Sequence, residues 1–301
     1  MLEWRTPILS DLEWVSDIVN KSRYIGSDVA FANIFLLREK YKIKLAEKEG
    51  YLIRYYEGAK NRTGYTFPLG NYTYGLNKVI ARILSLIEED SQITGRSLEY
   101  TLVSEEQLRL LRKYYGDRLE ITHDLGDEDY IYNQSELASL SGRKFHKKKN
   151  HVSRFIKEFN DISSVNITEE NLVDVQIIED RWMKVTEKTE SALYEYRAIE
   201  EALENFEKLE LKGTITYVNS VPAAMTIYSH INDNCVDIHF EKSYGDYAEL
   251  GAFAYINQEN AKKIKAETIN REEDINIEGL RKAKQSYHPS KKIIKYHVKV
   301  K

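Results

Sequence analysis

Three strand-like runs at 213–219, 223–229 and 235–241 follow one another closely and lead into a helical run at 251–265. This order constrains the fold more than any other feature of the chain. The third run alternates Val236, Ile238 and Phe240 with Asp237, His239 and Glu241, the period of a strand with one apolar side. Asn219-Ser220-Val221-Pro222 supplies a turn between the first two runs. Upstream, Leu172, Val175, Ile178, Trp182 and Val185 mark one helix, and Ile199, Ala202, Leu203, Phe206 and Leu209 mark another. A chain that interleaves the two periods in this way folds as a mixed αβ protein, α/β or α+β.

The first half repeats the crude order. An apolar helix is expected at 28–38 with Asp28 as its cap. Strands are expected at 42–47, 51–56 and 63–68, with turns at Glu49-Gly50 and Asn61-Arg62. Leu76, Val79, Ile80, Ile83, Leu84 and Ile87 form an amphipathic stripe, a strand is read at 97–103, and Ser104-Glu105-Glu106-Gln107 matches a capping box. Short extended segments follow at 119–122 and 129–132. Near the end, 268–270 is extended, 280–287 is helical until Pro289 stops it, and 293–300 closes as a strand. The parallel in element order predicts two similar αβ domains, 1–140 and 141–301, the second beginning with a basic helix.

Bulk properties narrow the partners. With 301 residues and a net charge of −4, recognition of an anion must be local. No apolar run approaches the length that spans a bilayer, and Met1-Leu2-Glu3-Trp4-Arg5 does not open a secretory signal. The single cysteine, Cys235, fits a reducing cytoplasm and disfavours a thiolate metal site. The seven histidines are scattered, with no His-x-x-x-His pair, and His146 and His151 are badly spaced for one ion, so no metal is expected. Walker, Gly-x-Gly-x-x-Gly and Gly-x-Ser-x-Gly patterns are all missing from the sequence.

The segment 141–155 concentrates six fixed cations and two histidines in this slightly acidic chain. As a helix it places Phe145, Val152, Phe155 and Phe159 toward a core. Lys147, Asn150, His151 and Arg154 recur at i, i+3, i+4 and i+7 on another face. A solvated helix face accounts for the charges alone; the clustered Asn and His point instead to an anionic ligand. A second basic island, 279–289, contributes Lys282 and Lys284 beside Tyr287. Tyr287 fits either a proton donor whose pKa neighbouring cations lower or a packed residue closing a helix.

The strand 235–241, loop 242–250 and following helix form the unit best suited to a phosphate, since backbone N–H groups at a helix start attract anions. Ser243, Tyr244, Gly245, Tyr247, Leu250 and Gly251 line that expected loop, with Lys284 as a nearby cation. Glu241, sharing a side with Asp237 and His239, is a candidate general base, and so is Glu273 within the acidic run Glu272-Glu273-Asp274. A solvated sheet face accounts equally well for the first three.

Asp129-Tyr130-Ile131-Tyr132 and the run from Leu137 to His151 resemble the signature of a bacterial family of unknown function. That family is similar to the C-terminal domain of phosphatidylglycerol lysyltransferases. Asn270-Arg271-Glu272-Glu273-Asp274, Gly279-Leu280-Arg281-Lys282-Ala283-Lys284 and Tyr287-His288-Pro289 resemble its closing motif, and Asp28, Phe31, Asn33 and Phe67-Pro68-Leu69-Gly70 its opening. The resemblance implies two tandem GNAT-like (acetyltransferase-like) domains with mixed sheets, and acyl or aminoacyl transfer to an amine or hydroxyl. A coenzyme A pyrophosphate would then bind at 242–250, with Glu241 or Glu273 as base and Tyr287 protonating the leaving thiolate. An aminoacyl-tRNA donor, gripped by the basic helix and tail, is the alternative, and a non-catalytic module binding a nucleotide or tRNA end is a third. Lysyltransferases of this kind carry a large membrane portion that delivers lipid and that this sequence lacks, a departure that bears on the lipid acceptor and not on the transferase chemistry.

Overall fold

Two mixed sheets collect the strands. The computed structural model describes residues 2–58, 62–72 and 75–301. The expected turn at Asn61-Arg62 begins on Asn61, outside that set. One unit comprises Met1–Asp129, Glu273–Glu278 and Lys292–Lys301, the other Tyr130–Glu272 and Gly279–Lys291. Both are discontinuous, whereas the sequence places a single boundary after residue 140. Strand pairing decides the partition. The terminal strand Tyr296–Val300 lies between Glu99–Val103 and Leu119–His123, antiparallel to both. The strand Asp129–Asn133 pairs antiparallel with Thr268–Asn270.

In the first unit the sheet runs Lys44–Lys48, Tyr51–Glu57, Thr63–Tyr65, Glu99–Val103, Tyr296–Val300, Leu119–His123. Glu49 and Gly50 both have positive φ, the condition for the tight turn that sets Lys48 opposite Tyr51. Helix Lys78–Thr94 buries Ile80, Ile83, Leu84 and Ile87 in a shared core with Tyr65, Phe67 and Tyr100. The tyrosines reach polar partners at their tips: Tyr65 donates to Asp90 at 2.7 Å, and the hydroxyls of Tyr100 and Tyr115 lie 2.8 Å apart. Helix Glu105–Tyr115 starts with the expected reciprocal cap between Ser104 and Gln107.

The expected helix at 28–38 is broken into a 3-10 turn, Ser27–Val29, and a short helix, Phe31–Leu36. Asp28 caps neither. It is buried and paired with Arg54 at 2.8 Å, because an unscreened guanidinium outcompetes backbone amides for a buried carboxylate. Lys295 extends this network, with Asp129 at 2.6 Å, Ser27 at 3.1 Å, Asp28 at 3.7 Å and Glu273 at 3.9 Å. Burial alone would push its pKa down, but Asp129, Glu273 and Asp28 hold it above the ordinary lysine value. Asp129 and Glu273 are the residues at which the chain leaves this unit and re-enters it.

The second sheet runs Lys291–Ile293, Asp129–Asn133, Thr268–Asn270, Cys235–Ser243, Val221–Asn232, Lys212–Val218, Ile162–Asn166. Positive φ at Asn219 and Ser220 builds the expected hairpin, with Val218 opposite Val221. The expected closing strand at 293–300 divides into Lys291–Ile293 and Tyr296–Val300. Helix His146–Glu158 buries Phe145, just before it, with Val152 and Phe155, and packs on helix Ala252–Lys263 through Ala254, Ala252 and Ile256. At their crossing Gly251 has φ +118°, and a Cβ there would lie 2.4 Å from the His151 carbonyl oxygen.

Replacing Lys295 by Met removes the cation from buried Asp129 and should cost about 3–5 kcal/mol in denaturant titrations at neutral pH. Gly251→Ala meets both a disfavoured φ and a backbone oxygen, and should lower stability by about 1–3 kcal/mol in the same titration.

Candidate active site

Strands Cys235–Ser243 and Thr268–Asn270 run parallel for three residue pairs, the last being Asp237 with Asn270. Beyond that pair the longer strand continues while the other chain turns away through Arg271 and Glu272, the latter at φ +54°. A wedge therefore opens between them, and successive side chains line its two sides.

A bulge at His239 decides which side each residue takes. Ile238 lies opposite Tyr228 and Phe240 opposite Ile227, leaving His239 as the additional residue. Asp237 is opposite Ser229, whereas Glu241 is opposite Thr226. Ser229 and Thr226 are three positions apart on one strand, so they project to opposite faces. The expectation that Asp237, His239 and Glu241 share a side is thus corrected. The reading of a solvated sheet face also fails, since Asp237 and His239 are buried and Glu241 is nearly so.

On the Glu241 face, Arg271 reaches across the wedge, its Nη2 2.7 Å from Glu241 Oε1, while Asn257 donates to Oε2 at 3.3 Å. The guanidinium lies over the Tyr287 ring at 4.8 Å, and the Lys148 ammonium stands 3.8 Å from the same ring centre. Arg271 Nη1, Asn257 Oδ1 and Thr226 Oγ1 are buried with no hydrogen-bond partner among the described residues. Orphaned polar atoms around a fixed ion pair leave bonding capacity for a ligand.

Electrostatics sharpen these roles. Burial, then Arg271, push the Lys148 pKa down to about 8, with Glu241 opposing. Tyr287 moves the other way: burial raises its pKa well above the ordinary value despite the pull of Arg271. The expected cation-lowered tyrosine is therefore corrected to a firmly protonated one. It lies beyond the end of helix Glu278–Gln285, buried against Tyr132 and neighbouring apolar groups.

Other expected residues are placed differently. Positions 242–250 are not an open loop: Lys242 and Ser243 end the strand, and Gly245–Leu250 is a short helix. Ser243 donates to the Ala223 carbonyl at 2.9 Å, and Tyr244 to that of Pro222 at 2.6 Å. Tyr247 packs on Phe159 at 5.2 Å, and Leu250 offers its carbonyl to Arg154 at 3.2 Å. Gly251 serves the helix crossing. Lys284 is buried and donates to the Arg271 carbonyl. Glu273 belongs to the first unit, on Arg62 at 2.5 Å. Lys147, Asn150, His151 and Lys282 are exposed; partial burial, with Lys148 and Arg154, holds His151 below its ordinary pKa.

Sequence reasoning missed Lys148, Asn257 and Arg271 as site residues. Lys148 left a signal, for it continues the heptad stripe of the buried Phe145, Val152 and Phe155, where a lysine, half-buried here, is anomalous. Arg271 stood beside the acidic run but contributes through a turn no local pattern announces.

The sequence profile of the family described as "Phosphatidylglycerol lysyltransferase, C-terminal" matches residues 20–299. The chain belongs to this family. Its fold is shared at full coverage of both chains, TM-score 0.92 and 32% identity, with a conserved protein of unknown function from Bacteroides thetaiotaomicron. L-PGS from Bacillus licheniformis matches with TM-score 0.67 and 13% identity over 98% of this chain and 93% of that one. For FemX the values are 0.62 and 9%, over 99% and 97%. An uncharacterised protein of Mycoplasmoides gallisepticum is 26% identical over 190 residues, 60% of this chain and 59% of that relative's length. The fold is therefore shared with these solved structures, and the family match indicates an acyltransferase-like, lysyltransferase-related function. No described helix is long and apolar enough to cross a membrane.

Lys148 should titrate near 8 when followed by NMR of its 13C-dimethylated amine. Arg271→Met removes a repelling cation and should raise that value toward the ordinary lysine range. Glu241→Gln removes an attracting anion and should lower it further.

Proposed function

We propose that this chain is an aminoacyltransferase that moves an aminoacyl group from an activated ester, of the aminoacyl-tRNA class, to an amine or hydroxyl acceptor. The family match supports the reaction type, and one observation carries the assignment of the site. Arg271 is nearly buried, fixed on one side by Glu241, and its Nη1 has no hydrogen-bond partner among the described residues. A preorganised donor in such a place offers stabilisation to a carbonyl oxygen as it gains charge.

The chemistry follows from the neighbours. Lys148, near neutrality an amine in appreciable part, takes the proton of the acceptor. The acceptor atom attacks the ester carbonyl, and the resulting oxyanion is held by Arg271. The bond to the leaving oxygen then breaks, and Tyr287 supplies the proton that oxygen needs. Lys148, beside the Tyr287 ring, returns the proton it took, so both groups recover their starting forms. Glu241 and Asn257 position Arg271 rather than touch substrate. The exposed Lys147, Asn150 and Lys282 offer a cationic approach for the phosphates of the donor, while Arg154 is already engaged with the Glu249 and Leu250 carbonyls.

Coenzyme A thioesters are the second donor class to test. The segment expected to hold their pyrophosphate is strand and short helix, which weighs toward the ester donor. Incubation of the purified chain with charged tRNA, or with acyl-coenzyme A, and hydroxylamine or phosphatidylglycerol vesicles should release acyl product from the tRNA ester. The rate should rise through about pH 8 as Lys148 deprotonates. Lys148→Met and Tyr287→Phe should each lower it by about 10²–10⁴-fold, and Arg271→Lys by about 10²–10³-fold. Turnover confined to acyl-coenzyme A would replace the donor. No turnover with either donor, or full activity in Lys148→Met, would overturn the assignment.

A further inference from the structure

On the opposite face of the same strand, Asp237, His239 and Glu272 converge. One carboxylate oxygen from each acid and one imidazole nitrogen lie within 4.8 Å of one another, and among the described residues no other such group of three is found. His239 Nδ1 is 3.6 Å from Asp237 Oδ2 and 3.6 Å from Glu272 Oε1. Both separations exceed hydrogen-bond length. They are close to the spacing of two ligands on a tetrahedral zinc ion, about 3.4 Å for metal–ligand bonds of about 2.1 Å.

The surroundings are those of a built site. The other imidazole nitrogen, Nε2, lies 2.8 Å from Ser229 Oγ, which fixes the ring and directs Nδ1 toward the carboxylates. Outer hydrogen bonds of this kind orient histidine ligands in metal centres. Asp237 is fully buried and His239 nearly so, while Glu272 keeps 27% of its side chain exposed, so one side of the group meets solvent. Two carboxylates beside an imidazole in so little water favour a positive charge at their centre. The bulge places His239 there, and the turn at Glu272 brings the third ligand from the other wall of the wedge.

We propose that Asp237, His239 and Glu272 bind a divalent cation of the zinc class, with a fourth position open to solvent. One imidazole and two carboxylates match the donor set of zinc and its borderline neighbours, whereas calcium and magnesium prefer oxygen alone. The site lies across the sheet from Glu241, Arg271 and Lys148, and it stands or falls independently of the transfer reaction. A bound ion would tie the two strands together where their pairing ends.

The test uses the full chain after treatment with chelator and desalting. Calorimetric titration with Zn²⁺ should give one equivalent bound, and Co²⁺ should produce the visible absorption of a four-coordinate nitrogen–oxygen site. Zinc should raise the melting temperature. His239→Asn and Asp237→Asn should abolish these signals, and Glu272→Gln, altering a partly exposed residue with little risk to folding, should weaken zinc binding by about 10-fold or more. Absence of zinc binding by the intact chain overturns the proposal. So does binding that persists unchanged in Glu272→Gln and His239→Asn, since the ion would then sit elsewhere.

Discussion

The parting of two parallel strands after Asp237 and Asn270 is the constraint on which the chemistry of the second unit depends. Parallel strands stay in register only while both backbones remain extended, and the left-handed φ at Glu272 ends that on one side. On the other side the bulge at His239 keeps the longer strand in the sheet and reverses its alternation. Together they send Glu241 and Arg271 to one face and His239 and Glu272 to the other. Without the bulge all three polar residues of the strand would crowd one surface, and the Glu241–Arg271 pair would not form.

Cations wholly or partly withdrawn from water recur at the positions that matter, and each is handled differently. Lys295 is surrounded by acids and keeps its proton firmly, which makes it a fastening at the points where the chain leaves and re-enters the first unit. Arg271 keeps its charge too, but with one nitrogen left unmatched. Lys148 has an aromatic ring and a neighbouring guanidinium where Lys295 has carboxylates, so its charge is the one that gives way. Desolvation acts on all three; the number and distance of nearby acids separate a structural cation from a reactive amine.

Local chemistry was legible wherever the sequence specifies a backbone conformation within a few residues. Glu49-Gly50 and Asn219-Ser220 turn as read, and the Ser104 cap forms with both of its bonds. Prediction failed where a distant partner competes. Asp28 abandons capping for Arg54, and the presumed phosphate loop is consumed by strand, helix and the close passage of the His151 backbone over Gly251. For Tyr287, neighbours in sequence could not reveal that burial outweighs the cations around it.

The sequence by itself determined the mixed αβ class, the two-fold repetition of element order, the aromatic stripe of the basic helix and the family resemblance, because periodicity and motif are properties of neighbours along the chain. Only the tertiary structure decided that residues 130–140 join the second unit and that Tyr296–Val300 completes the first sheet. It also decided that Lys148 rather than Lys147 meets Tyr287, and that a bulge separates His239 from Glu241. These outcomes rest on strand pairing and desolvation between residues up to about two hundred positions apart, as Lys299 is from Glu99, which no window along the sequence contains.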